Sequence, residues 1–315
     1  MKDTICQNDC MSIVVPVYNR PELVVRCLES IKAQTYRPLH IIVVDNASSD
    51  DTADRVSVWM DSNAASDFTV ELISESRSGA AYARERGLGK VRTEKVMFFD
   101  SDDTMRPECV DTVMDAWMSA PEVEIVAWRV AIHSEDGVRI THAIEGSLLE
   151  RHLVHAVLRT QGYAVKTEFI RRAGGWKGEF PVWNDLETGV RLLLNQPEVK
   201  ALPDLYVDVF HQEESITGVR FSDKAGKWEK SLDGIERNIK GSGRKDTSRL
   251  LGIISYRRAI LAAYYAREGN PELAHPLYRR ALSETVKIKR PLIRFAYHWT
   301  RLGMRGAFSI IGRFL

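Results

Sequence analysis

No apolar stretch in this 315-residue chain approaches the roughly 18–20 residues that a membrane-spanning helix needs. Cysteine is scarce. Cys6, Cys10, Cys27 and Cys109 form no disulfide framework, and Cys6 and Cys10, in a polar leader without a second ligand pair, do not read as a zinc site. Residues 1–10 hold two acids and no apolar core, so no signal peptide is expected. These absences favour the cytoplasm. Glycine is missing from the loop after the first apolar run, Val17-Tyr18-Asn19-Arg20-Pro21, so the G-x-G-x-x-G loop of a dinucleotide-binding oxidoreductase is excluded there. Acidic residues are missing from residues 287–315, which carry Lys287, Lys289, Arg290, Arg294, Arg301, Arg305 and Arg313. The total charge of +1 hides this: the remaining chain holds 37 basic against 43 acidic side chains.

What is present reads as a soluble globular protein of one large domain or two, with 44% hydrophobic and 28% charged residues. Up to residue 130, strand and helix patterns alternate. Residues 12–17, 40–44, 69–73, 95–99 and 123–128 read as strands, the third with alternation. Helices are expected from Pro21, from about residue 52 to 60, over 78–91 and over 107–118. Strands that are apolar on both faces and spaced by helices predict an α/β fold, a mostly parallel sheet flanked by helices. Ligands of such sheets bind beyond the carboxyl ends of the strands. Asn19 and Arg20 follow the first strand, Asp45 ends the second and Asp100 ends the fourth, so these groups are expected on one rim. Residues 130–220 read as a mixed α+β half over that rim. Residues 221–246 read as a polar connector with an amphipathic helix around Trp228. The rest is helical, with one tetratricopeptide-like helix pair over 259–282, too few for a solenoid.

The most informative motif is Asp100-Ser101-Asp102-Asp103, directly after Val96-Met97-Phe98-Phe99. Carboxylates delivered to one loop repel each other. A hard divalent cation on a phosphate group would relieve that repulsion, whereas an isolated acidic turn would simply start the next helix.

Three segments together, Ser12-Ile13-Val14-Val15-Pro16-Val17-Tyr18-Asn19-Arg20, Val43-Val44-Asp45-Asn46-Ala47-Ser48-Ser49-Asp50-Asp51-Thr52 and Phe98-Phe99-Asp100-Ser101-Asp102-Asp103, resemble the family-2 glycosyltransferases of the Rossmann-like GT-A fold, of bacterial surface-glycan type. The resemblance covers about residues 11–220, with a nucleotide-sugar half to about 130 and an acceptor half beyond it, and leaves 221–315 as a helical C-terminal region. It implies inverting transfer of a sugar from a nucleoside diphosphate sugar, with a UDP-sugar as the expected donor, assisted by Mn²⁺ or Mg²⁺. It also implies roles by position. Pro16, Tyr18 and Arg20 flank the nucleotide, Asp45 meets the base, Gly79 and Arg84 lie near the nucleotide, and Asp100 and Asp102 serve ribose or diphosphate and metal. Asp103 is left as a possible helix cap.

The general base implied is Asp185. Asn184 stands where relatives often carry Glu, Arg191 lies downstream, and Glu187 is the rival base. His211, before Ser215 and Thr217, matches a third metal or diphosphate ligand, against an ordinary structural histidine. Trp176 and Trp183 read either as a sugar-stacking wall or as core. The expected acceptor is a cell-surface or lipid-linked glycan. The basic tail mixes cations with apolar and aromatic residues, which suits an anionic membrane surface at the inner face of the cell membrane; the alternative is a helix docked on the body. No nucleic-acid-binding fold accompanies it. Two other functions compete. A catalytically silent glycan- or nucleotide-sugar-binding protein should have lost the acidic pair or the base. A sugar-nucleotide pyrophosphorylase should carry a Gly-rich basic loop after strand one.

Overall fold

The computed structural model describes residues 9–210, 220–304 and 306. Its chain divides into two compact units. The first holds residues up to 145, 157–188 and 195–211, and the second holds 146–156, 189–194 and the chain from 212.

In the first unit, β1 (Met11–Val17), β2 (Leu39–Asp45), β3 (Phe68–Ser74) and β4 (Lys95–Phe98) pair in parallel, in the order β3-β2-β1-β4. Between them run α1 (Pro21–Lys32), α2 (Thr52–Asn63) and α3 (Ala80–Leu88). Every residue of β1, β2 and β4 is buried, as expected for strands covered on both faces. The alternation expected of β3 is not seen: it is the sheet edge, half-buried throughout its middle. Pro21 opens α1, where a missing N–H leaves no hydrogen bond unmade, and Val24, Cys27, Leu28 and Ile31 form its buried stripe. Gly87 brings α3 onto the sheet: a Cβ there would stand 2.3 Å from the Val14 side chain.

The sheet continues with strands of mixed direction. These are β5 (Thr104–Met105), β6 (Ile125–Ser134), β7 (Gly137–Ile140), β8 (Tyr163–Lys166) and β9 (Val199–Phe210). β8 inserts antiparallel between β4 and β6, β6 and β9 run parallel, and β5 closes the edge antiparallel to β9. The parallel character thus belongs to the first half, and the second half is mixed. Helix α4 (Cys109–Ser119) buries Val110, Val113 and Trp117; a short α6 (Thr167–Arg172) follows β8, and α7 (Asn184–Leu194) precedes β9.

The second unit contains α5 (Leu148–His155) and four later helices: α8 (Lys227–Gly241), α9 (Thr247–Arg267), α10 (Pro271–Glu284) and α11 (Arg290–Arg301). α9 and α10 form the expected helix pair, and α8 buries Trp228. Arg258, 1% exposed, is held by Asp233 at 2.8 Å, Glu284 at 2.5 Å and Glu236. α11 packs on α9 through Ile293, Ala296, Tyr297 and Thr300, and Tyr278 of α10 stacks on Tyr297 with ring centroids 4.0 Å apart.

Candidate active site

The register aligns the strand ends. Val17 of β1 pairs with Asp45 of β2, which pairs with Ser74 of β3, so the loops that follow open on one edge. Pro16 sits in β1 two residues beyond the last β1–β4 pair, where its missing N–H has no ladder partner on that side to disappoint. Asn19 and Ala47 have left-handed backbone, with φ of 49° and 60°. Each such non-glycine residue costs on the order of 1–3 kcal/mol and needs surrounding support. Asn19 has it: its backbone N–H donates to Ser48 Oγ at 3.0 Å, and its Oδ1 accepts from the Ser49 N–H at 2.8 Å. Tyr18 projects from the same loop, 55% exposed.

Asp45 is buried. Its Oδ2 accepts from the Ser48 N–H at 3.3 Å, and its Oδ1 has no partner among the described residues. A buried carboxylate oxygen without a donor is costly unless a ligand supplies one. Beside it, Asn46 clamps the loop between β3 and α3 at three points, a role its sequence position did not reveal. Its Nδ2 donates to the carbonyls of Glu75 (2.9 Å) and Arg77 (2.7 Å), and its Oδ1 accepts from the Gly79 N–H at 2.7 Å. Gly79 itself has φ 131°, a conformation open to glycine, and leads into α3. Glu75 is held well below the usual carboxylate range, at about 2, chiefly by hydrogen bonds from the Arg77 guanidinium.

Arg84 is no exposed helix arginine. It is 5% exposed and reaches two distant residues. Nη1 donates to Asn184 Oδ1 at 2.9 Å, Nη2 pairs with Asp100 Oδ1, and the guanidinium lies over the Trp176 ring, 4.8 Å from its centroid. Asn184, which departs from the common pattern, thus has a defined partner. Trp176 is 1% exposed and packs edge-on against Phe98, so it belongs to the core rather than to a sugar-stacking wall.

The acidic loop is wired on every side. Asp102 pairs with Arg20, and its carbonyl accepts from Arg26. Gln161, which sequence reasoning passed over, donates to Asp100 Oδ2 at 2.5 Å and to Asp103 Oδ2 at 2.7 Å. Asp103 does not cap a helix: α4 begins at Cys109, and Asp103 Oδ1 instead accepts from the Phe210 N–H at 3.0 Å. Burial, and then its neighbours Asp100 and Asp102, push the Asp103 carboxyl up to about 8. The Asp102 carboxyl is raised by burial first and Asp100 second. The Cys27 thiol beneath them is raised well above its ordinary value, again mainly by burial.

An all-oxygen donor set carrying crowded, partly desolvated carboxylates fits a hard divalent cation. Among the described residues, no group of three or more His, Cys, Asp or Glu side chains is arranged to hold one. His211, Ser215 and Thr217 lie outside the described residues.

Asp185 and Glu187 separate clearly. Glu187 is 1% exposed, whereas Asp185 is half-buried, with its Oδ1 accepting from the Leu186 N–H at 2.8 Å. Arg159 acts on Asp185 electrostatically; burial lowers the Arg159 pKa, and the Asp185 charge opposes that. Trp183, just before Asn184, has φ 48°, a third left-handed non-glycine residue around the rim. Arg191 lies on α7 in the second unit.

Residues 12–173, just over half of the chain, match the model of Glycosyl transferase family 2. The chain belongs to that family. Asp185 and His211 lie beyond the matched stretch. Glycosyltransferase GlyG of Streptococcus pneumoniae serotype 4 is 32% identical over 107 residues, 34% of this chain and 34% of that protein. Putative glycosyltransferase EpsH of Bacillus subtilis strain 168 is 28% identical over 130 residues, 41% of this chain and 36% of that protein. The chain thus spans about a third of the length of these curated relatives. Among solved structures, S. aureus TarS 1-349 in complex with UDP-GlcNAc superposes with a TM-score of 0.71 at 16% identity, covering 93% of this chain and 92% of that one. Mannosyltransferase PcManGT from Pyrobaculum calidifontis, in complex with GDP-Man and Mn²⁺, gives 0.56 at 18% identity, covering 96% and 86%. At these identities the likeness shows the fold, the GT-A fold with a helical C-terminal region.

Proposed function

We propose that this glycosyltransferase moves a sugar, with inversion, from a nucleoside diphosphate sugar to a hydroxyl of a cell-surface or lipid-linked glycan. The donor is a UDP-sugar, and Asp185 is the general base. The observation that carries this reading is Arg84, whose guanidinium joins Asp100 to Asn184, the residue before the base. A donor between these groups has its diphosphate end at the acidic loop and its anomeric carbon toward α7. The ligands of TarS and PcManGT, UDP-GlcNAc and GDP-Man, support the donor class.

Each residue then has a task. The partnerless Asp45 Oδ1 accepts an N–H of the nucleotide base. Pro16, Tyr18 and Gly79 shape the loops beside it. Arg20 can exchange Asp102 for a diphosphate oxygen, keeping its charge matched throughout. Asp185 accepts the proton of the attacking hydroxyl, within about 3 Å of it, as that oxygen bonds to the anomeric carbon. On the opposite face the bond to the diphosphate breaks, through a transition state of oxocarbenium character by analogy with glycosidases. Mn²⁺ or Mg²⁺ held by Asp100 and Asp102, with His211 as a third ligand, would offset the charge that grows on the departing diphosphate.

The test is a screen of nucleoside diphosphate sugars by release of nucleotide, with Mn²⁺ and with chelator. Turnover of a UDP-sugar that chelation abolishes is the expected result. Absence of both binding and turnover for every donor would sink the reading.

A further inference from the structure

Helix α11 carries two apolar stripes, and its packing on α9 uses only one of them. The second consists of Ile288, Leu292, Phe295, Trp299 and Leu302. Steps of four and three keep these side chains on one face, from the turn before the helix to the residue after it. Ile288 is 87% exposed, Leu302 77% and Phe295 42%. The Phe295 and Trp299 rings lie against each other, with centroids 5.1 Å apart. Val286 and Met304, beyond the two ends of the helix, are exposed as well. Soluble proteins rarely leave an apolar face of this extent open without a use for it.

The charge beside the stripe is of one sign. Exposed Lys287, Arg294 and Arg301 recur every seven residues, so they form a row along one flank. Residues 285–304 also contain Lys289 and Arg290 and no Asp or Glu.

We propose that this face of α11 lies on an anionic lipid surface. The apolar stripe, with its aromatic pair, sits at the boundary of headgroups and acyl chains, and the basic row meets the lipid phosphates. Charge complementarity selects lipid over a second copy of the chain. A two-fold contact through the same patch brings the basic row against itself, and like charges across an interface are repulsive. The inference goes beyond the reaction: it concerns where the enzyme works, and it does not depend on which donor is used.

The experiment is cosedimentation of the full chain with vesicles of phosphatidylcholine, alone or mixed with phosphatidylglycerol. Binding to the mixed vesicles, weakened by salt and slight on phosphatidylcholine alone, is expected. Ile288→Glu with Phe295→Glu, and separately Arg294→Glu with Arg301→Glu, should each reduce that binding by at least about tenfold. Circular dichroism and melting should stay unchanged. If the first pair fails to fold, the second, which alters only exposed arginines, carries the test. Undiminished binding in the folded variants overturns the proposal, as does equal binding to both vesicle types. A dimer in light scattering that Ile288→Glu with Phe295→Glu dissolves, without vesicle binding, assigns the face to a second copy instead.

Discussion

Arg84 and Asn184 stand 100 residues apart in the chain, and Nη1 of one lies 2.9 Å from Oδ1 of the other. The same guanidinium pairs with Asp100. One buried cation therefore fixes the head of α7 against the acidic loop at the end of β4. On the proposed reaction this pairing would help keep the base and the leaving group on opposite sides of one sugar, where small displacements are expensive in rate.

Arg84→Ala should remove both anchors and leave Asp100 facing a lost partner. Breaking a buried ion pair from one side costs about 3 kcal/mol or more. Arg84→Lys keeps the charge and cannot span both acceptors, since lysine lacks the planar fork. Thermal unfolding should show a large loss for Ala and a smaller one for Lys, with sugar transfer falling at least about a hundredfold in both. Transfer at the parent level in Arg84→Lys would show that the fork is dispensable.

Gln161 offers a second probe of the acidic loop. Its amide nitrogen bridges Asp100 and Asp103, and hydrogen bonds to charged groups are worth about 1.5–3 kcal/mol each. Gln161→Glu replaces that donor with a fourth carboxylate beside Asp100, Asp102 and Asp103. On the proposed role of Mn²⁺ or Mg²⁺, the metal-free variant should melt well below the parent, and added Mn²⁺ should recover more stability in the variant than in the parent. Calorimetry with and without the ion decides it; identical melting in both states would show that the amide contributes nothing to the loop.

Much of this was legible in the sequence because it depends on local pattern. Strands apolar on both faces, Pro21 at a helix start and an acidic turn after Phe99 each identify themselves within a few residues. Asp45 and Asp100 could be set on one rim because parallel strands deliver their loops to the same edge. Asn46, Gln161 and Asn184 were not legible. Each acts by bridging segments that are 31 to 100 residues apart, and nothing periodic marks an amide that does so. Asp103 misled for the same reason. Its local context fits a cap, while its partners, Gln161 and Phe210, arrive from much later in the chain.

Asp185→Asn should bind donor like the parent and lose transfer by about 10²–10⁴-fold, the usual contribution of a positioned base. Glu187→Gln should affect stability more than chemistry, because Glu187 is almost fully buried. Donor affinity by calorimetry, alongside single-turnover transfer, separates the two. Normal transfer in Asp185→Asn, with loss in Glu187→Gln, would reassign the base.

His40 supplies a test of the opposite end of the sheet, away from the rim. Its Nδ1 lies 3.3 Å from Ser12 Oγ, which accepts from the Thr93 hydroxyl at 2.8 Å, and its Nε2 lies 2.9 Å from Glu71 Oε1. Burial lowers the His40 pKa, Glu71 pulls it back up, and Arg92 adds to the lowering. The folded pKa is therefore below the ordinary value of 6.5 that the unfolded chain shows. Above about pH 6.5 the residue is neutral in both states, and its full contribution to stability is present. As the pH falls below that, the unfolded chain takes up the proton first, so stability is lost down to the folded pKa. Urea unfolding followed from pH 7.5 to 5 should show a decline that His40→Gln flattens. Glutamine keeps a polar group beside Ser12 and Glu71 and cannot take up a proton in this range. Transfer by His40→Gln should stay near the parent level at neutral pH, because none of the rim residues touches His40. A decline of equal slope in parent and variant would move the acid sensitivity to other groups.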